Sequence, residues 1–233
     1  MTRPPFDPAF EDLPRIVPVF PLTGVLLLPG GQLPLNIFEP RYLNMVQAAL
    51  AAEPRMIGMI QPTEPNPDDN RGPPGDAPGG SEPDIYRTGC GGRIVDFSET
   101  EDGRYRITLS GVCRFHVVEE LAPKDGYRRV MVDYHRFRRD LWQEDEADID
   151  RERLLKALRA YLDRRAIAAE WESVEAAPDH RLVTLLAMSC QFTPSERQAL
   201  LEAPDLTERG RVLIALLEMA LLEGDGSEGH AEH

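Results

Sequence analysis

Long uninterrupted apolar runs are missing from this 233-residue chain, although 42% of its residues are hydrophobic. Its most apolar stretch, VPVFPLTGVLLLPGGQLPLNIFEPRY from Val17 to Tyr42, is broken by Pro18, Pro21, Pro29, Pro34 and Pro40. A membrane-spanning helix needs about 20 consecutive apolar residues with every backbone group bonded, so this stretch is excluded as a span. Cysteine is scarce as well. Cys90, Cys113 and Cys190 are odd in number and far apart, which argues against a disulfide framework and for a reducing compartment. The N-terminal MTRPPFDPAFEDLP lacks the apolar core of an export signal, so the expected location is cytoplasmic. No G-x-x-x-x-G-K-S/T sequence is present to cradle nucleotide phosphates.

Lysine is nearly absent: among 26 basic residues only Lys124 and Lys156 are lysines. A Ser–Lys nucleophile needs a desolvated amine of lowered pKa. Lys124 falls in a Pro-Lys-Asp-Gly turn and Lys156 on a charged helix, so neither fits. Cys113 and His116 form a C-x-x-H, but residues three apart on a strand point to opposite faces and do not share a metal, so a buried cysteine and an outward histidine are expected. His230 and His233 have helical spacing in a Gly-rich acidic tail, where adventitious metal binding is the most they offer. No two carboxylates can be placed across a cleft. The sequence nominates no catalytic residue, no cofactor-binding residue and no metal ligand, and it implies no cofactor.

The net charge of −14 is unevenly spread. Between Gln61 and Asp84 six acids face one arginine, between Asp140 and Glu152 seven face one, and the tail from Glu223 has four acids and no base. Those segments hold essentially all of the net negative charge. The rest of the chain is near neutral, and a local basic face is compatible with it.

What is present reads as strands followed by helices. IVPVF, GVLLL and QLPL are short apolar pieces separated by turn residues, and prolines in strands point to sheet edges and bulges. Pro40 suits the first position of a helix running to about Ala52, with Leu43, Val46 and Leu50 as its apolar stripe. RMIGMIQ reads as a strand. The segment 62–84, rich in Pro, Gly and acids, is too poor in apolar residues to order itself and reads as a mobile insertion. Strands resume in IYRTGCGGRIVDFSET and turn at Asp102-Gly103. In RYRITLS, Tyr105, Ile107 and Leu109 point inward; after a bulge or turn at Gly111, Cys113, Phe115 and Val117 follow, and then Val130, Val132 and Tyr134.

Beyond the acidic link the strand signal vanishes. Leu154, Leu155, Leu158, Tyr161 and Leu162 share one helical face. A second helix is expected at 179–190, a third from a Thr193–Glu196 capping box with Pro194 at its first position, and a fourth at 207–222, ending before Gly224. The fold class is α+β: an extension at 1–15, a mostly antiparallel β-rich subdomain at 16–137, an acidic linker at 138–149, a helical bundle at 150–223 and a disordered tail at 224–233.

Several of these stretches resemble one family. Pro18–Leu22, Leu28–Gly30, PLNIFEPRY from Pro34 to Tyr42, YRTGCGGRI from Tyr86 to Ile94, DGRYRITLSGVCRF from Asp102 to Phe115, and Arg197–Leu217 are similar to the N-terminal substrate-binding domain of Lon proteases and to stand-alone Lon-N-like proteins of bacteria. The resemblance implies a PUA-like β-barrel subdomain followed by a helical bundle. It implies a non-catalytic role in protein quality control, with unfolded or hydrophobic polypeptide segments, and a full-length Lon, as partners. The Ser–Lys peptidase and the ATPase of Lon belong to domains that this resemblance does not include.

Polypeptide could add a strand to an open edge or lay side chains into a groove between the subdomains. Phe38, Tyr42 and Met45 are the nominated contacts. The alternative partner is RNA, held by Arg128, Arg129, Arg136, Arg138 and Arg139 interleaved with Tyr127, Tyr134 and Phe137. A solvated strand face paired with the acidic link is the preferred reading of those arginines. Glu39 and Arg41 read as a charge pair fixing the strand-to-helix corner.

Overall fold

The computed structural model describes residues 6–63, 83–142 and 147–225, with side chains to residue 222. Most of the insertion expected at 62–84, part of the acidic linker, and the tail bearing His230 and His233 lie outside the described residues. The chain divides between Leu141 and Trp142 into two compact units.

The first unit contains β1 (Ile16–Pro21), β2 (Gln32–Ile37), α1 (Pro40–Leu50), β3 (Met56–Ile60), β4 (Thr88–Glu99), β5 (Tyr105–Lys124) and β6 (Tyr127–Asp133), followed by a 3-10 segment, His135–Leu141. They form one six-stranded sheet in the order β2-β5-β4-β3-β1-β6, in which β5 also pairs with β6. All ladders are antiparallel except β1 on β3. The expected barrel is therefore only partly realised. β5 pairs with β2 through Tyr105–Ser110 and with β6 from His116 onward, so the sheet returns on itself there while β2 keeps a neighbour on one side only.

GVLLL is not a strand. Gly24 to Leu28 has no ladder, yet Leu26, Leu27 and Leu28 are buried. The segment plugs the sheet with side chains, and the flanking Gly30 and Gly31 exchange backbone bonds of 2.9 and 2.8 Å with Gly111. The stripe of α1 also differs from expectation. Tyr42, Met45, Val46 and Ala49 face the core, and Leu43 and Leu50 are only half-buried, because the helix follows Pro40 at a different rotation from the one its leucines suggest.

The glycine-rich stretch of β4 has a packing cause. Phe115 is fully buried, and its ring lies where Gly58 and Gly89 leave room: a Cβ at Gly89 would sit 2.5 Å from the ring and one at Gly58 2.9 Å. The bulge expected near Gly111 is present, since Gly91 faces Cys113 and Gly92 faces Gly111, leaving Val112 as the extra residue. At Gly111 a Cβ would come within 2.0 Å of the Leu28 carbonyl oxygen.

The core takes in residues on both sides of the span expected for the β-rich subdomain. Leu13 joins it from the N-terminal side and Leu141, at the end of the 3-10 segment, from the C-terminal side. That segment is clamped to β5 by a buried ion pair. Asp140 accepts from the Arg114 backbone N–H at 2.9 Å and from its guanidinium at 2.8 Å through each oxygen, while the guanidinium lies 4.7 Å from the Phe137 ring centroid.

The second unit contains α2 (Arg151–Arg164), α3 (Trp171–Ala176), α4 (Asp179–Ser189), α5 (Pro194–Glu202) and α6 (Leu206–Asp225). Asp150 caps α2, and the Thr193–Glu196 capping box opens α5 as expected. The buried face of α2 is Leu154, Ala157, Leu158 and Tyr161; Leu155 and Leu162 are half-buried at its rim. The short α3 was not foreseen, having little apolar periodicity, and α6 runs through Gly224.

Arginines close these helices. Arg151 donates to the Glu175 and Ala177 carbonyls at 2.8 and 2.9 Å, Arg197 to those of Met188, Cys190 and Phe192 at 3.3, 2.9 and 3.1 Å, and Arg209 to that of Leu200 at 2.9 Å. One planar fork satisfies several terminal carbonyls, which a lysine cannot do as well. Burial holds the pKa of Arg197 below its ordinary value, yet the group remains a cation.

Two predictions follow from this packing. Gly111→Ala is expected to cost about 3 kcal/mol or more, because a rigid carbonyl blocks it. Gly91→Ala, whose one close contact is the flexible end of Met56 at 2.5 Å, with the Cys113 carbonyl oxygen at an ordinary 3.4 Å, is expected to cost clearly less in urea unfolding. Asp140→Ala, which leaves the Arg114 guanidinium buried and unpaired, is expected to cost about 3 kcal/mol by the same measurement.

Candidate polypeptide-binding surface

Along its whole length β2 is paired on one side only, with β5, and presents an open edge. Its odd residues share a face with β5: Leu33 lies opposite Leu109, Leu35 opposite Ile107 and Ile37 opposite Tyr105. Gln32, Pro34 and Asn36 point the other way and are exposed. The alternation carries into Phe38, which is 62% exposed and has the Arg104 guanidinium 5.9 Å from its ring centroid. Asp102 holds that guanidinium at 2.9 Å.

The rest of the motif turns inward. Glu39 precedes α1 without capping it through its side chain, and instead accepts from Arg41 Nε at 3.0 Å, forming the corner pair expected from the sequence. The Arg41 guanidinium lies 4.6 Å from the Tyr42 ring centroid, and Tyr42 packs on Phe20 at 4.1 Å between centroids. Tyr42 is 4% exposed and Met45 is fully buried. Of the three nominated contacts, Phe38 is at the surface, while Tyr42 and Met45 are core residues, because the Pro40 start rotates them toward the sheet.

The arginine–aromatic stretch is dispersed. Arg128 is 6% exposed and donates to both Glu120 oxygens at 2.6 and 2.7 Å and to the Pro83 carbonyl at 2.7 Å. Arg129 donates to the Ala122 carbonyl at 3.0 Å. Arg136 lies 4.9 Å from the Phe137 centroid, and Arg138 lies 4.7 Å from that of Phe10 and 3.8 Å from Glu11. Arg139 is exposed. Tyr127, Tyr134 and Phe137 are buried, with the Tyr134 hydroxyl donating to the Pro14 carbonyl at 3.1 Å, so their rings are not available to stack on bases.

Lys124 and Lys156 are both exposed. The Cys113 thiol donates to the Phe137 carbonyl at 3.4 Å, and burial pushes its pKa far up, away from thiolate chemistry. His116 is half-buried rather than outward, because it is flanked in the sheet by Thr88 and Asp133. Among the described residues no group of three or more His, Cys, Asp or Glu is arranged to hold a metal ion, and no helix is long and apolar enough to cross a membrane.

Two hollows flank the Glu53–Pro54–Arg55 loop at the end of α1. The larger, an open cleft of about 550 Å³, is walled by Phe6, Pro8, Asp12, Arg93 and Ile94. Asp7 pairs with Arg93 there at 3.2 Å. Neither hollow was legible in the sequence, although the alternation of β1, with Val17 and Val19 in and Ile16 and Pro18 out, already put Ile16 on the surface that one of them uses.

This mixed sheet with its helix, followed by a helical unit, has its fold neighbours among solved Lon N-terminal domains. The N-terminal domain of Mycobacterium avium complex Lon protease matches with a TM-score of 0.59 at 23% identity, over 87% of this chain and 98% of that one. The Lon N-terminal domain protein from Xanthomonas campestris matches at 0.55 and 24% identity, over 86% and 97%. Residues 16–219 match the family model of the ATP-dependent protease La (LON) substrate-binding domain, and the chain belongs to that family. Lon protease 2 of Myxococcus xanthus is 28% identical over 211 residues, covering 89% of this chain. The chain spans only 24% of the length of that relative.

The exposure difference within one motif is testable. Phe38→Ala is expected to change unfolding free energy by less than about 0.5 kcal/mol, and Met45→Ala to cost about 3 kcal/mol, as read by urea titration.

Proposed function

We propose that this chain is a non-catalytic module that binds exposed hydrophobic segments of unfolded polypeptides in cytoplasmic protein quality control. The observation that carries the reading is Phe38: a large aromatic held out to solvent beside the open edge of the sheet, in a motif whose other large apolar side chains are folded inward. An exposed ring of this kind gains free energy only when something covers it. Membership of a substrate-binding domain family supports the same reading, and the matched region is the one that family contributes rather than an ATPase or a peptidase. Three free buried cysteines suit a reducing compartment. A full-length Lon is a partner of this module in the same reading.

RNA is the weaker candidate. Arg128, Arg129, Arg136 and Arg138 are drawn into ion pairs, carbonyl contacts and rings of the protein itself, and the aromatics lie in the core.

The test is fluorescence anisotropy of a labelled, permanently unfolded polypeptide titrated with the protein, with a labelled single-stranded RNA at two salt concentrations alongside. Saturable polypeptide binding is expected, weakened about tenfold by Phe38→Ala at an unchanged unfolding midpoint. Absence of polypeptide binding overturns the reading. RNA binding alone, falling steeply with salt, replaces it with a nucleic-acid function.

A further inference from the structure

The smaller hollow beside the Glu53–Arg55 loop has a composition that specifies a ligand. Its apolar lining joins Ile16 and Pro18 from β1, the larger Met56 and Tyr127, and the small Ala49 and Ala52 from α1 and the residues after it. Its volume is about 180 Å³. Cofactor and drug-sized sites run from about 300 to 1,000 Å³, so this one accommodates one or two aliphatic side chains and no more. It is extended along the surface by apolar area, since Ile16 is 47% exposed and its cross-strand partner Met131 is 36% exposed.

The rim is cationic. Arg55, Lys124 and Arg129 line the hollow against the single acid Glu53. Glu53 reaches Arg55 only at 3.9 Å, with both side chains well exposed, a pairing too loose to cancel the charge. Arg129 spends its hydrogen bonds on the neutral Ala122 carbonyl, so no carboxylate takes up its hydrogen bonds, although Asp125 acts on the neighbouring Tyr127 hydroxyl against it. One of the two lysines of the chain is placed here. On a protein of net charge −14 this is a local positive field around an apolar slot.

We infer that this groove binds an extended polypeptide segment in which one or two aliphatic side chains are flanked by acidic residues: the aliphatic groups fill the alanine-floored slot, and the carboxylates meet Lys124, Arg129 and Arg55. The inference rests on the polypeptide-binding reading above and gives it a substrate preference and a second place of contact, apart from Phe38. Acid-flanked segments are selected over base-flanked ones because repulsion at the rim penalises the wrong sign, while the slot itself is indifferent to charge.

The experiment uses two labelled peptides with the same Val-Leu centre, one flanked by Asp and Glu and the other by Lys, titrated by anisotropy against the full chain, against a Lys124→Glu/Arg129→Glu variant, and against Ala52→Trp, which fills the slot from an exposed position. Wild type is expected to prefer the acidic peptide about tenfold, the charge-reversed protein to invert the preference, and Ala52→Trp to weaken both peptides, each variant keeping its unfolding midpoint. Equal affinity for the two peptides, or a preference that the charge reversal leaves in place, overturns the groove assignment while polypeptide binding stands. Failure of wild type to bind either peptide, together with failure to bind the longer unfolded polypeptide, overturns both.

Discussion

The sheet is organised around a ring that fits only because two Cβ atoms are absent. Phe115 is buried completely, and the chain has made its bed from Gly58 on β3 and Gly89 on β4, whose missing Cβ atoms would lie inside the ring's contact distance. Interiors are packed to crystal density, so this arrangement fixes the separation of β3, β4 and β5 at that point. The consequences propagate. With β5 held close, Gly111 can approach the Leu28 backbone, the bulge at Val112 turns the strand, and the same strand that pairs with β2 at its beginning pairs with β6 near its end. The open edge at β2 exists because β5 leaves it behind at that turn.

Arginine does the joining elsewhere. The clamp of the 3-10 segment onto β5, and the closing of α3 and α4, each use a guanidinium whose planar donors reach two or more acceptors at once, and Arg209 adds a bond to the end of α5. This gives a physical account of why so few of the basic residues are lysines. It also explains why a basic, aromatic-rich stretch such as 127–139 is a misleading sign of nucleic acid: the same residue types that grip phosphate and stack on bases also make internal joints, and the rings of Tyr127, Tyr134 and Phe137 are buried in the protein.

Element types were largely legible, because period-2 and period-3.6 patterns report which face is buried. The paired β4–β5 turn at Asp102-Gly103, the bulge at Gly111 and the capping box at Thr193 follow local rules and were found from the residues alone. GVLLL was not, since a buried apolar run has the same composition whether it pairs or merely fills space, and only its distance from other backbones decides. The rotation of α1 was missed for a related reason: Tyr42, Met45 and Ala49 make as good a stripe as Leu43, Val46 and Leu50, and the choice is made by the corner at Glu39–Pro40. The surface hollows are built from residues far apart in sequence, such as Ile16, Ala52 and Lys124, and no local pattern announces them.

If the proposed function holds, the open edge must accept chains without joining them indiscriminately. A bare six-residue edge would template pairing with any exposed strand. Pro34 stands in the middle of β2, opposite Thr108, and strand prolines turn their ring nitrogen away from the paired side. The nitrogen therefore faces the open side, and an incoming strand finds no donor where it needs one. Backbone addition is weakened at its centre, and in the proposed function recognition falls to side chains: Phe38 at one end of the edge and the apolar slot lined by α1. Side-chain recognition discriminates by apolar size and by charge, whereas a backbone ladder would accept almost any extended sequence. The prolines that break the most apolar stretch of the chain are in this sense part of its selectivity, since they keep a hydrophobic surface from becoming a sticky one.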